Sequence, residues 1–249
     1  MGILQRVQAL RNELPNIVCF IAVTKTASVD QIRSAYNAGV RDFGESRVQD
    51  AQNKMLLLQD CQDVRWHLIG SLQANKVRSA LKLFSWIHSV DQLDLALRID
   101  RIAEELGVCP NILLQVKLLP DPDKKGFSLE GLLEALPQLD ALEHVRVRGL
   151  MTIAPYGISP PEQYSLFSRV KALAEDLKNQ VWQRLSMDEL SMGMSGDYPQ
   201  AAAAGATMVR IGRHIFAPEH GSVAPEPGST ELEASGQVQI SSSIQESTS

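Results

Sequence analysis

Ile17-Val18-Cys19-Phe20-Ile21-Ala22-Val23-Thr24-Lys25 is apolar until its last two residues. A run this rich in β-branched side chains and this poor in polar alternation predicts a strand buried on both faces, as in a parallel sheet. Lys25 then falls where the strand leaves the core. In a closed α/β barrel the C-terminal rim of the strands is where chemistry is built, so a cation at the end of strand one points into the site. Lysine desolvated at such a rim can lose its proton and condense with a carbonyl as a Schiff base. The plainer alternative is a strand-end lysine that snorkels to water, and the choice depends on what the rest of the chain brings to that rim.

The flanking segments alternate. A leading helix over residues 1–12 ends at Pro15; after Lys25, Ser28 and Gln31 form a capping box for a helix with Val29, Ile32, Ala35 and Tyr36 on its apolar face, closed by Gly39. Residues 40–45 read as strand two, and Ser46 with Gln49 repeats the capping box for a helix carrying Val48, Ala51 and Met55. Strands over 64–70, 84–90, 110–118 and 145–153 alternate with helices over 75–83, around Leu95 to Leu106, and over 129–136. Ser159 caps the longest helix, with Pro160 at its first position and Tyr164, Phe167, Val170, Leu173 and Leu177 inward. Residues 189–194 and 207–211 are strands seven and eight, separated by a helix over 197–204 that Gly205 closes. Eight βα units predict a TIM (β/α)8 barrel over residues 1–217. A doubly wound open sheet is the alternative, but Thr24-Lys25-Thr26-Ala27 lacks the glycines that bring a backbone close to a dinucleotide.

After Pro218 the composition shifts to Ser, Gln, Glu, Gly and Pro, which predicts a disordered polar tail over 218–249. The net charge of −5 lies entirely there, in Glu219, Glu226, Glu231, Glu233 and Glu246. The balanced body gives no electrostatic reason to expect nucleic acid or an anionic membrane as a partner. Cys19, Cys61 and Cys109 are odd in number and lack metal or CxxC spacing, as expected of reduced thiols in a cytoplasmic protein. No apolar run approaches a membrane span, nothing at the N-terminus reads as a signal peptide, and no feature signals an oligomer, so a monomer is the default.

Two further stretches bear on chemistry. Ser191-Met192-Gly193-Met194-Ser195-Gly196-Asp197 ends strand seven, and Val209-Arg210-Ile211-Gly212-Arg213 ends strand eight. Both offer glycine-flanked amides at a helix start, where TIM barrels commonly hold phosphate. Ser195 adds a hydroxyl and Arg213 a guanidinium; the alternative for each is a tight turn serving no ligand. Strand one neighbours strand eight in a closed barrel, so Lys25 and the cup at Gly196 and Gly212 share a rim. An imine-forming lysine beside a phosphate site points to pyridoxal 5′-phosphate. Arg210 should face the same side as Gly212. Against a pyridine nitrogen it would withhold a proton and leave the ring a weak electron sink; otherwise it pairs with Asp42 or Glu45. His67 could line the mouth or be satisfied structurally. Gly193-Met194-Ser195-Gly196 only superficially resembles a nucleophile elbow, and the five histidines show no metal spacing.

These motifs, with Asp42-Phe43-Gly44-Glu45, Trp66-His67-Leu68-Ile69-Gly70, Leu72-Gln73-Ala74-Asn75-Lys76 and Gly149-Leu150-Met151-Thr152, resemble the pyridoxal phosphate homeostasis protein family over residues 1–217. The resemblance implies a barrel like the alanine racemase N-terminal domain, with Lys25 forming the internal aldimine. It further implies that Ser195, Gly196, Gly212 and position 213 hold phosphate, and that Arg210 faces the ring nitrogen. Position 46 is usually asparagine in that family and is Ser46 here; position 213 is usually a small hydroxyl residue and is Arg213 here. The implied function is intracellular vitamin B6 and amino-acid homeostasis without established turnover, with pyridoxal phosphate as ligand and apo-enzymes that need it, or a regulatory protein, as partners. The alternatives are a racemase or lyase using Tyr156 or Tyr198 as a second base, and a regulatory protein-binding barrel. Racemization needs an acid/base on the opposite substrate face, which alanine racemases take from an added β-domain and a partner subunit; no such domain is expected here.

Overall fold

In the computed structural model, which describes residues 1–121 and 124–217, the opening apolar run condenses to strand β1 (Cys19–Val23). It pairs in parallel with both β2 (Asp42–Glu45) and β8 (Met208–Ile211). Pairing of the first strand with the last leaves no free edge, which excludes the open doubly wound sheet. Between them β3 (Arg65–Leu68), β4 (Trp86–Val90), β5 (Asn111–Gln115), β6 (Arg146–Met151) and β7 (Glu189–Met194) follow in chain order around a closed parallel barrel. This is the TIM arrangement.

Helix α1 (Ile3–Glu13) precedes the barrel. The crossovers are α2 (Val29–Asn37), α3 (Val48–Leu56), α4 (Val77–Leu81) after a 3-10 turn, α5 (Leu93–Leu106), α6 (Leu129–Asp140), α7 (Pro160–Lys178) and α8 (Tyr198–Ala203); α9 (Arg213–Phe216) follows β8. Strand alternation sorts the core into two parts. Ile21, Leu113, Met151 and Met208 meet inside the barrel, while the larger apolar cluster lies between strands and helices.

Four expectations are corrected. Ile17 is 86% exposed in the turn that Val18 closes onto Pro15, so β1 starts two residues later than the apolar run. The Ser46–Gln49 capping box does not form; Arg47 is the N-cap of α3 and no side chain caps it. A Cβ at Gly70 would stand 2.3 Å from the Ser46 carbonyl oxygen, so tertiary packing places that backbone. Helix α6 runs through Pro137 to Asp140, which buries Leu139. Tyr164 points outward, and the buried face of α7 is Leu166, Phe167, Val170, Ala174 and Leu177. The expected polar tail over 218–249 lies outside the described residues. Among those described, no helix is long and apolar enough to cross a membrane.

Candidate functional site

The C-terminal ends of β1, β7 and β8 are neighbours, and they carry Lys25, Ser195, Gly196, Arg210, Gly212 and Arg213. Lys25 lies two residues past β1 in a turn bracketed by the Ala27 N–H to Thr24 carbonyl bond of 2.9 Å. Its side chain is exposed and makes no hydrogen bond or ion pair among the described residues. The residue before it is firmly held. Thr24 Oγ1 donates to Glu45 Oε1 at 2.6 Å, and Lys54 Nζ donates to that same oxygen at 2.7 Å and to the Thr24 carbonyl at 2.6 Å. A lysine side chain with no partner among the described residues thus projects from an anchored backbone.

Beyond β8, at the end of β7, the turn from Met194 to Asp197 is tied at both ends. Asp197 N–H donates to the Met194 carbonyl at 3.0 Å, and Met194 N–H donates to Asp197 Oδ1 at 2.5 Å. Burial raises the Asp197 pKa, opposed by that hydrogen bond and by Arg210. Gly193 starts the turn at φ +90°, and a Cβ there would sit 2.5 Å from that of Ala201, so only glycine lets β7 pass this close to α8. Ser195 Oγ accepts the Gly212 N–H at 3.3 Å, joining the two loops. The amides of Gly196 and Arg213 have no hydrogen-bond partner among the described residues. Together they form a cup of donors suited to an anion. Among the described residues the exposed Arg213 side chain has no ion pair, and Ser46, half-buried just past β2, makes no side-chain hydrogen bond.

Arg210 is buried beneath this cup. Neither carboxylate proposed for it is its partner: Arg65 takes Asp42, and Lys54 takes Glu45. Its Nη1 donates to Ser191 Oγ at 2.6 Å and its Nη2 to the Thr152 carbonyl at 2.9 Å. Burial lowers its pKa to about 10, with Asp197 opposing. A buried guanidinium without an ion pair among the described residues, with donors to spare, fits a ligand that brings an acceptor into the barrel mouth.

His67 does not line the mouth. It is 1% exposed, with Nε2 3.0 Å from Asp42 Oδ1 and Nδ1 2.9 Å from His88 Nε2, so neither ring nitrogen is free for a ligand. His88 Nδ1 lies 2.8 Å from Ser191 Oγ. Burial depresses the pKa of His67, against the pull of Asp42, and places His88 well below the usual histidine range. Burial alone would raise the Asp42 carboxyl; hydrogen bonds from Arg65 and His67 outweigh it and hold the acid well below its ordinary value. His88, Ser191, Thr152, Asp197 and Glu45 were not identified as site residues from sequence. For His88 and Ser191 the available signal was a polar side chain within a mostly apolar strand, whereas Thr152 and Asp197 lie just past strand ends.

The tyrosines considered as a second base are poorly placed. Tyr156 is fully exposed. Tyr198 donates to Glu13, and burial together with that carboxylate pushes its pKa to about 12. Among the described residues no group of three or more His, Cys, Asp or Glu gathers to hold a metal.

Residues 2–219 match the family model described as alanine racemase, N-terminal domain. A pyridoxal phosphate homeostasis protein of Synechocystis sp. is 51% identical over 203 residues, spanning 82% of this chain and 92% of the relative. That of Escherichia coli is 36% identical over 205 residues, 81% and 86% of the two chains. PipY of Synechococcus elongatus, solved with pyridoxal phosphate bound, superposes with a TM-score of 0.83 at 49% identity, covering 86% of this chain and all of PipY. A Clostridium difficile alanine racemase, 16% identical with a TM-score of 0.67, shares the fold; the match covers 88% of this chain and 56% of the racemase. By the family model that spans it and its identity to these relatives, the chain belongs to the alanine racemase N-terminal domain family and, within it, to the pyridoxal phosphate homeostasis proteins.

Proposed function

We propose that this chain binds pyridoxal 5′-phosphate, held covalently on Lys25, and serves intracellular vitamin B6 and amino-acid homeostasis as a carrier without turnover. The observation that carries the reading is the convergence on one rim of a lysine and a buried arginine that have no carboxylate partner among the described residues, with a two-loop donor cup between them. The relative at 49% identity that holds pyridoxal phosphate supports the same ligand. When bound, pyridoxal phosphate supplies an aldehyde that condenses with a primary amine, releasing water, and a pyridine ring that can take up electrons.

The residues divide the work. Lys25 provides the nucleophilic Nζ, delivered by the Thr24–Glu45–Lys54 clasp. Ser195 Oγ and the amides of Gly196 and Arg213 receive the phosphate oxygens; the Arg213 side chain, with no partner among the described residues, can add charge. Arg210 donates to the ring nitrogen and withholds a proton from it, which favours holding the cofactor over carbanion chemistry. The exposure of Tyr156 and the Tyr198–Glu13 bond argue against a racemase or lyase. A cytoplasmic location suits a carrier that gives its ligand to apo-enzymes.

The test compares the visible spectrum of the loaded wild type with that of Lys25→Ala, before and after borohydride reduction. A yellow band in the wild type, fixed by reduction and missing in the variant, is the expected result. A wild type that stays colourless with excess ligand would overturn the reading. Rapid racemization of L- or D-amino acids would instead make the protein an enzyme.

A further inference from the structure

One file of hydrogen bonds crosses the barrel interior on five strands, β2, β3, β4, β7 and β8. Asp42, at the start of β2, lines a cavity of about 390 Å³ with Arg65 and Cys19. Arg65 binds it through Nε to Oδ1 at 2.7 Å and Nη2 to Oδ2 at 2.6 Å. From Asp42 the file runs through His67, His88 and Ser191 to Arg210, each link between 2.6 and 3.0 Å. Trp86 stacks on His67 with ring centroids 5.7 Å apart, and His88 is fully buried.

The two ends dictate the direction of every donor. Asp42 is an ionised acceptor, so His67 gives it the Nε2 proton, and a neutral His67 then has only an accepting Nδ1. His88 must therefore donate from Nε2 and accept at Nδ1, and Ser191 must donate its hydroxyl proton to His88. The Ser191 oxygen is left to accept from Arg210, which can only donate. A file donating one way, from Arg210 down to Asp42, satisfies every link with both imidazoles neutral. The charged groups bearing on the pair are Asp42, Arg65 and Arg210.

We infer that His67 and His88 are positioning residues for the cofactor ring: they orient Ser191 as an acceptor for Arg210 and so aim the remaining guanidinium donors at the ring. The inference rests on the reading of Arg210 given under Proposed function. The anchor for the ring contact is thus a carboxylate at the far mouth of the barrel, and the rim residues are only its last step.

Two measurements on the full-length chain test it. Long-range proton–nitrogen correlation spectra of wild type are expected to show His67 and His88 both neutral and both protonated on Nε2. A proton on Nδ1 of either ring reverses the file and overturns the inference. The second measurement is the dissociation constant for pyridoxal phosphate, read from visible absorbance, in wild type, His88→Leu and His88→Gln. A glutamine amide can donate to His67 and accept from Ser191, whereas leucine can do neither. We expect His88→Leu to bind about tenfold more weakly and His88→Gln to recover most of the loss, the scale of one hydrogen bond to a charged group. Wild-type affinity in a folded His88→Leu protein overturns the inference while leaving the Lys25 reading intact. A wild type that takes up no ligand overturns both. The spectra need no variant, so failure of His88→Leu to fold leaves the proposal open to refutation.

Discussion

Glu45 is buried completely, and one of its oxygens carries both Thr24 and Lys54 while the other has no hydrogen-bond partner among the described residues. Removing one member of a buried pair leaves an uncompensated charge, which costs more than the intact pair contributes. Lys54→Met should therefore lower stability by about 3 kcal/mol, seen as a lower urea midpoint with an unchanged m-value. A loss below about 0.5 kcal/mol would place the charge in water instead. The same variant releases the Thr24 carbonyl and should weaken ligand loading at Lys25 without touching Lys25 itself. Residue-level legibility was uneven for a physical reason. Lys25, Ser195 and Gly212 stood out because strand ends followed by glycine or a cation have few structural explanations. His88 and Ser191 sit in mid-strand, where one polar residue reads as ordinary alternation. Only the closed barrel brings β4 within reach of β7, and their link spans 103 positions.

Elements obeyed their local signals wherever nothing distant competed. The Ser28–Gln31 capping box forms as the spacing predicts, and at the start of α7 the Glu162 carboxylate accepts from both the Ser159 N–H and its hydroxyl, because each closes within one helical turn. Ser46–Gln49 has the same spacing, but the backbone there is placed against Gly70 and the helix starts later. The contrast is measurable by chemical denaturation. Ser28→Ala should cost about 1 kcal/mol for the lost cap, while Ser46→Ala should stay within about 0.5 kcal/mol; equal losses would show that Ser46 caps in solution. Between strands the sharpest demand is at Gly149, where φ is +152° and a Cβ would stand 1.9 Å from the Glu189 carbonyl oxygen. Gly149→Ala must push β6 off β7, and a cost above about 3 kcal/mol, or no soluble protein, is expected.

At the scale of the whole molecule, βα alternation was enough to read the barrel, since eight buried parallel strands with intervening helices have few ways to close. What alternation could not show is that the interior holds a polar file as well as an apolar plug. That file makes stability depend on pH. His67 and His88 have folded pKa values depressed by burial, whereas the unfolded chain titrates them near ~6.5. Below that value the unfolded state binds protons the folded state refuses, so stability falls as pH falls, by up to about 1.4 kcal/mol per pH unit for each histidine. Above about pH 7 both states are neutral at these sites and the contribution is constant. Asp42 adds a second loss at lower pH: its folded pKa is depressed, so its stabilisation is present above the ordinary carboxylate range and disappears as acid protonates it. Asp197, with a raised pKa, works the other way and softens the acid limb. Urea midpoints between pH 7 and pH 5 should therefore fall steeply in wild type and about half as steeply in His88→Gln, which keeps the file but removes one titrating ring. Parallel slopes in the two proteins would mean that the buried pair does not govern acid stability, and the loss would then have to be traced to surface carboxylates.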